Sequence, residues 1–432
     1  MVDIQAKAGM AQSVISGYLL TMQKAGLLES ERVGQWTYYL RNEKTIRLFT
    51  EYVQKKLKKK GGFFKYKYLY FWILYKIFVL ADIQGISCKL YYGVEKMISL
   101  NILDYSPIDE GSNAREALLQ TTELAKSADK LGYSRFWVSE HHQTFSLAGS
   151  NPEMLMMHLA ASTERIRIGS GGVMLPHYSS YKVAENFRIL EALYPNRIDL
   201  GIGRAPGGNR LVTYALNEEK SRPLSYEQQI EDLKGFLTDN VSVDHRFHEL
   251  IATPVIETIP EMWLLGSSGG SAEIAAANGT AFTFAHFINP FGAGLTTVNE
   301  YRKNFKPSAL LENPKVMIGV FAIVAETNEE AEEIAKAFDL WLLTVESAQT
   351  PPYYPSIQTA IDYQYSPREI ERISSNRNRV LVGDAKKVKR EIEKLAELYD
   401  TNEITILPNI AKSTNRMKSI QLLAEAFNLS GV

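Results

Sequence analysis

Cysteine is almost absent from this chain: Cys88 is the only one in 432 residues. That excludes a disulfide framework, a cysteine-based zinc site and an iron–sulfur cluster, and it fits a reducing cytoplasm. Long apolar runs are missing too. The one membrane-like stretch, Leu69 to Ala81, has 13 residues with Lys76 inside it, too short for a bilayer core of about 30 Å. Met1–Met10 lacks the apolar core of a secretory signal. No GxGxxG fingerprint is present either, so nothing in the chain points to an NAD(P)H dinucleotide fold. These absences leave a cytoplasmic protein of ordinary globular composition, long enough for two to four domains or one large barrel with additions.

Excess charge of one sign is also missing overall, but the formal net charge of −1 conceals two unlike parts. Residues 1–96 carry 16 Lys/Arg against 7 Asp/Glu, and residues 97–432 carry 32 against 42. A basic segment suits an anionic polymer and an acidic one suits small molecules.

In the basic part, Gln12 to Leu28 spaces Val14, Tyr18, Leu19, Met22 and Leu27 as one helix face, with Ser13 as a cap and Gly26 as a stop. Leu28 to Leu40 then predicts two short strands around Arg32-Val33-Gly34. The stretch QSVIS…AGLL…RVGQWTYYL resembles winged-helix repressors of the arsenical-resistance type over about residues 4–57. The resemblance implies Gln12, Ser13 and Ser16 facing a DNA groove and Arg32 and Gln35 on phosphates. The hydrophobic base of such a domain would be incomplete here, and its metal-sensing cysteine pair is lacking. DNA binding by residues 12–41 is therefore the alternative function, not the expected one.

Residues 59–96 hold no period of 2 or 3.6, and 23 of residues 61–96 are Phe, Tyr, Lys, Ile or Leu, the residues of A/T-rich codons. Lys59-Lys60-Gly61-Gly62 can be coded by a ribosome-binding tract, and Gly93–Lys96 can place another just before Met97. The expectation is an intergenic stretch read in frame, joining a repressor fragment (1–58) to an enzyme (97–432). The alternative is an aromatic linker helix packed on the barrel.

From Met97 onward, strands and helices alternate. Strands are expected at Ile98–Leu103, Arg135–Ser139, Ile166–Val173, Ile198–Ile202, Met262–Leu265, Phe282–Phe287, Lys315–Val324 and Glu403–Leu407. Helices are expected at Ala114–Leu131, Pro152–Ser162, Tyr181–Leu193, Tyr226–Leu237, Ala272–Asn278, Glu300–Phe305, Asn328–Leu343, Lys386–Leu398 and Asn415–Ala426. Eight strands in this order predict an α/β fold, a (β/α)₈ TIM barrel preceded by the partial winged helix, with insertions at 205–260 and 345–380.

Chemistry in such barrels gathers where strands end. After the second strand come Glu140-His141-His142, a carboxylate and two imidazoles suited to acid–base work near neutral pH. A metal is not expected there, because adjacent residues diverge and no third ligand is evident. The third strand ends with Gly171-Gly172 and Met174, a close-approach site for something flat, or a β-bulge. Arg204 ends the fourth strand and is a candidate anion holder. Ser267-Ser268-Gly269, with Ser271, opens a helix as a phosphate cradle, or as simple capping. Together these predict a phosphorylated cofactor.

The blocks SEHHQTFS, IRIGSGGVMLPHYSSYKVAENFRILEALYPNRIDLGIGRAPGG and WLLGSSGGSAEIAAANGTAFTFAHF resemble the luciferase-like flavin monooxygenases, from Ile98 to about Phe427. The resemblance implies a barrel, often dimeric, that binds reduced FMN or, in one branch, a deazaflavin. It implies oxygen adding to the reduced flavin to give a hydroperoxide that oxidises a small organic substrate. Position by position, His141 matches the catalytic histidine, with Glu140 and His142 beside it. Gly171-Gly172 match a cis peptide against the flavin ring, with Met174 in the same block. Arg204 matches a phosphate-binding arginine, and Ser267, Ser268, Gly269 and Ser271 fall at the contacts after strand five. A separate flavin reductase would supply the FMN. Light emission is not implied, since the bioluminescent members commonly carry two alanines in place of the glycine pair. The rivals are a deazaflavin-dependent hydride-transfer enzyme and a DNA-binding regulator with a flavin-sensing barrel.

Overall fold

The computed structural model describes residues 28–33, 36–41, 44, 98–218, 224–347 and 349–429, and the chain divides into two compact units, Met1–Glu95 and Lys96–Val432. In the first unit, β1 (Leu28–Val33) and β2 (Trp36–Arg41) pair antiparallel, from Leu28↔Arg41 to Val33↔Trp36. This is the expected strand pair. Gln12, Ser13, Ser16, Gln35, Cys88 and the junction 59–96 lie outside the described residues, as does the side chain of Arg32.

In the second unit every strand is parallel to its neighbours. The wall runs β3 (Ser99–Asp104), β4 (Arg135–Val138), β5 (Arg167–Ser170), β7 (Ile198–Gly203), β8 (Glu261–Gly266), β9 (Ala281–Ala285), β10 (Val316–Ala325) and β12 (Glu403–Leu407). Pairing of β9 with β10 and of β12 with β3 closes the ring. Surrounding helices include α1 (Ala114–Leu131), α2 (Pro152–Ser162), α3 (Ser180–Leu193), α4 (Arg210–Leu216), α5 (Tyr226–Thr238), α6 (Gly269–Asn278) and α7 (Gly294–Asn304). The later ones are α8 (Asn328–Glu346), α9 (Ile357–Asp362), α10 (Pro367–Asn376), α11 (Ala385–Leu398) and α12 (Ser413–Phe427). This is a closed eight-stranded parallel barrel of the (β/α)₈ kind.

The strand period of two divides the apolar residues between two layers. Leu100, Ile102, Phe136, Val138, Met262 and Leu264 pack outward under the helices. Leu103, Trp137, Trp263, Met317 and Phe321 form the second cluster, from the alternate positions. Polar side chains end the helices as the sequence suggests: Asn113 accepts from Glu116 N at 3.1 Å to start α1, and Gly132 at φ 88° closes it.

Three expectations are corrected. The third strand is not continuous: β5 stops at Ser170, and β6 (Val173–Met174) resumes after a cis peptide between Gly171 and Gly172. Against β7 the register moves from Gly169↔Asp199 to Val173↔Ile202. One extra residue is therefore accommodated at the glycines, a bulge. Second, α6 and α7 begin at Gly269 and Gly294, earlier than expected, because glycines that count as breakers occupy their first turns. Third, β11 (Val380–Asp384) is a ninth parallel strand, paired with the far half of β10 beyond the ring. It lies at the edge of the expected 345–380 insertion, where α9 and α10 also form, and α4 forms in the 205–260 insertion.

The wall around the glycines leaves no room for growth. A Cβ on Gly201 would lie 2.0 Å from the Ser170 carbonyl oxygen, and Ser170 Oγ already bridges Gly201 N and O at 3.0 and 2.8 Å. Gly201→Ala is expected to lower stability by about 3 kcal/mol, the upper end for overpacking, because the obstructing atom is backbone. Gly269→Ala, where nothing lies within 4 Å, should change the urea midpoint little. Equal midpoints for the two variants would contradict this packing.

Candidate active site

At the C-terminal end of β4 the chain turns through Ser139, Glu140, His141 and His142. Adjacent side chains diverge, and their partners differ accordingly. His141 Nδ1 shares a hydrogen bond with Ser139 Oγ at 2.8 Å, and its ring meets Tyr105 edge-on at 4.8 Å. Burial, with the neighbouring His142, lowers the His141 pKa to about 4, so the ring is neutral near pH 7. Its Nε2 has no partner among the described residues.

Glu140 is fully buried, and its carboxylate is occupied by the protein itself. Oε1 accepts from Tyr178 OH at 2.7 Å and shares a bond with His142 Nε2 at 2.8 Å, while Oε2 accepts from Met174 N at 2.9 Å. One carboxylate thus ties the loop after β4 to the segment after the glycine pair. The Met174 side chain lies against Gly203 and Gly207.

The end of β7 is drawn to the same place. His142 N donates to Gly207 O at 2.7 Å. His177 Nε2 reaches Pro206 O at 2.8 Å, and its Nδ1 pairs with Asn217 Nδ2, also at 2.8 Å. The Asn217 amide also donates to Thr213 O. Residues 206–217 are therefore fastened over the loop that carries His141.

Arg204, the first residue after β7, is exposed and has no carboxylate partner among the described residues. Its guanidinium lies beside Gly270, 3.5 Å from where a Cβ would stand. That is the first turn of α6, the helix following the neighbouring strand β8. Ser268 is the N-cap of α6, in extended backbone, yet its side chain makes no capping bond. The capping alternative for Ser268 is thus set aside, and Ser271 lies in the first turn of the helix against Gly266. Ser267 contributes its carbonyl to Asn289 Nδ2 at 3.2 Å. An unpaired guanidinium, free helix N–H groups and unused hydroxyls are a donor set that fits an oxyanion such as a phosphate.

Sequence reasoning gave no role to Tyr105, His177, Tyr178 or Tyr226. Tyr226, at the start of α5, is 8% exposed and its hydroxyl has no partner among the described residues. Aromatic residues on an amphipathic pattern look like core, and only the orphaned oxygen sets this one apart.

Comparison with known proteins follows the same boundaries. The family described as luciferase-like monooxygenase matches residues 100–402. The chain belongs to the luciferase-like monooxygenase family. An N-acetyl-S-alkylcysteine monooxygenase of Bacillus subtilis (strain 168) is 39% identical to this luciferase-like chain over 334 residues, covering 76% of this chain and 98% of that protein. YwcH of the same strain, an uncharacterized protein, is 50% identical over 332 residues, covering 77% of this chain and 99% of its own. Among solved structures, apo-MsnO8 superposes with a TM-score of 0.71 at 34% identity, covering 78% of this chain and 99% of that one. Members of the luciferase-like family are oxidoreductases, and these matches leave roughly the first hundred residues of this one outside their span.

Proposed function

We propose that this chain is a cytoplasmic flavin-dependent monooxygenase that uses reduced FMN and O2 to oxidise a small organic substrate. The observation that carries the reading is the meeting of Arg204 with the uncapped N-terminus of α6 on adjacent strands, a place made for a terminal phosphate. FMN, when bound, supplies the redox chemistry with O2, and a separate reductase delivers it reduced.

The chain's own residues do the rest. Arg204, Ser267, Ser268, Gly269 and Ser271 hold the phosphate. Gly171, Gly172 and Met174 form the surface for the ring system. His141, neutral and hydrogen-bonded to Ser139, holds or moves a proton at Nε2. Glu140 and His142 keep that loop in register with Met174 and Gly207, and the 206–217 segment excludes water from the mouth. A homodimer is supported by exposed apolar side chains on neighbouring helices: Leu119 of α1, Met154 of α2, and Ile189 and Leu193 of α3.

Arg204→Ala is expected to weaken FMN binding by about 10- to 100-fold while leaving riboflavin binding unchanged, since only the phosphate loses a charged partner. Fluorescence titration with both flavins measures this. Equal losses for the two, or none, would remove the phosphate from this site. The β1–β2 hairpin supports a second reading, confined to the first 58 residues, in which Arg32 and Gln35 contact DNA. It requires binding that weakens steeply with salt, and salt-insensitive or absent binding would dismiss it.

A further inference from the structure

We propose that the phenolic hydroxyl of Tyr226 is a further ligand of the cofactor's phosphate, closing a three-sided cradle with Arg204 and the first turn of α6. The inference rests on the reading of this site as one for a phosphorylated flavin.

Five described tyrosines are buried, and four of them spend their hydroxyls inside the protein. Tyr133 donates to Ile420 O at 2.8 Å, Tyr301 to Thr280 O at 2.8 Å and Tyr354 to Asn409 O at 2.7 Å, while Tyr399 pairs with His286 Nδ1 at 3.0 Å. Tyr226 is the exception, with its ring packed in the core at 8% exposure and its oxygen unpartnered among the described residues. A buried hydroxyl stripped of water without a partner is costly, and phenylalanine would fill the same space without that cost. Among the described residues the oxygen is left without a partner, free to take one from a bound ligand.

Its surroundings identify the partner's charge. The Arg204 guanidinium is near enough to act on the Tyr226 hydroxyl and also lies against Gly270 in the first turn of α6. Burial raises the phenol's pKa above its ordinary value despite that guanidinium. The hydroxyl therefore stays protonated and donates. A guanidinium, free helix N–H groups and a phenol that can donate suit an anionic, many-sided acceptor, as a phosphate monoester is.

The ring is also held rigidly enough to serve. Ser225 caps α5 by accepting from Gln228 N at 3.2 Å. Gln229 Nε2 donates to the carbonyls of Leu175 and Tyr178, each at 3.1 Å, and Ser180 Oγ donates to Gln229 O at 2.9 Å. The first turn of α5 is thereby pinned to the segment after the glycine pair, on the same side of the barrel as β7.

Tyr226→Phe in the full-length chain removes the oxygen and keeps the ring. Dissociation constants for FMN and riboflavin are compared in wild type, Tyr226→Phe and Arg204→Ala. The expected result is a roughly tenfold loss of FMN affinity in Tyr226→Phe with riboflavin unaltered. The thermal midpoint of the ligand-free variant should be equal to or above that of wild type. If Arg204→Ala loses the preference for FMN and Tyr226→Phe keeps it whole, Tyr226 is not a ligand although the phosphate site stands. Parallel losses for FMN and riboflavin in Tyr226→Phe would make the residue structural, which also overturns the proposal. Wild type binding both flavins alike would overturn the underlying reading itself.

Discussion

His141→Ala is expected to lower substrate oxidation by about 10²- to 10⁴-fold, the usual worth of a positioned acid–base group, with FMN affinity nearly unchanged. The separation follows from geometry: His141 sits at the end of β4 beside Tyr105 and Ser139, whereas the phosphate donors sit at the ends of β7 and β8. Its titration sharpens the test. The imidazole pKa is lowered to about 4 by burial and by His142. A reaction needing the neutral ring should then hold its kcat/KM from pH 8 to about 5 and fall only near 4, not near the ordinary 6.5. The same shift acts on stability. Between pH 6.5 and 4 the unfolded chain takes up a proton that the folded chain refuses. The contribution is thus complete above 6.5 and is lost as pH falls through 4. A kcat/KM that falls tenfold for each pH unit below 6.5 would contradict the assignment.

The second large effect lies at the opposite end of the barrel. Asp199, fully buried near the start of β7, accepts from Arg135 Nη1 at 2.6 Å and Trp137 Nε1 at 2.9 Å through Oδ2, and from Arg167 Nε at 2.8 Å through Oδ1. Burial works to raise the Asp199 pKa, but Arg135 and Arg167 outweigh it and hold the carboxyl below its ordinary range. Asp199→Ala leaves Arg135, 4% exposed, without its nearest counter-charge. A loss of about 3–5 kcal/mol is expected from denaturant unfolding. Glu261→Ala should cost well under half of that. Glu261 touches Arg135 Nη2 at 3.3 Å and Lys315 at 2.7 Å, but its side chain is 23% accessible and shares its load with water. Equal losses would mean that burial does not govern this network. Conservative folding chemistry at the strand starts and reactive residues at the strand ends is the usual division in such barrels.

What the sequence disclosed follows from the range of the forces involved. The eight wall strands were legible because each is a short apolar run set between capped helices, and α1 and α2 were legible to the residue because Asn113, Gly132 and Pro152 punctuate them. The break between β5 and β6 was legible in part: the glycine pair allowed a bulge and the resemblance implied a cis peptide, both of which the fold has, while the strand itself was expected to run unbroken to Val173. Strand β11 escaped because five residues, VLVGD, follow a polar helix and carry their own glycine. The Arg135 network was hidden for another reason. Its partners lie 64 and 126 residues away, and only closing the ring brings them together. At the site, position after a strand end marked Glu140, His141 and Arg204, while orientation could not be read. The sequence put Glu140 beside His141 as one reactive cluster. In the fold its carboxylate is consumed by Met174 N, His142 and Tyr178. Tyr226 passed as core because its apolar ring obeys the helix pattern and its unpaired oxygen does not enter that pattern.

The most direct measurement is an anaerobic titration of the purified chain with reduced FMN and, in parallel, with a reduced deazaflavin, each followed by mixing with oxygenated buffer. The proposed function predicts micromolar or tighter binding of reduced FMN, weak binding of the deazaflavin, and oxygen consumption by the FMN complex. Binding of the deazaflavin alone, with no oxygen consumed, would contradict it in favour of hydride transfer on the same barrel. Binding of neither would contradict the flavin reading altogether.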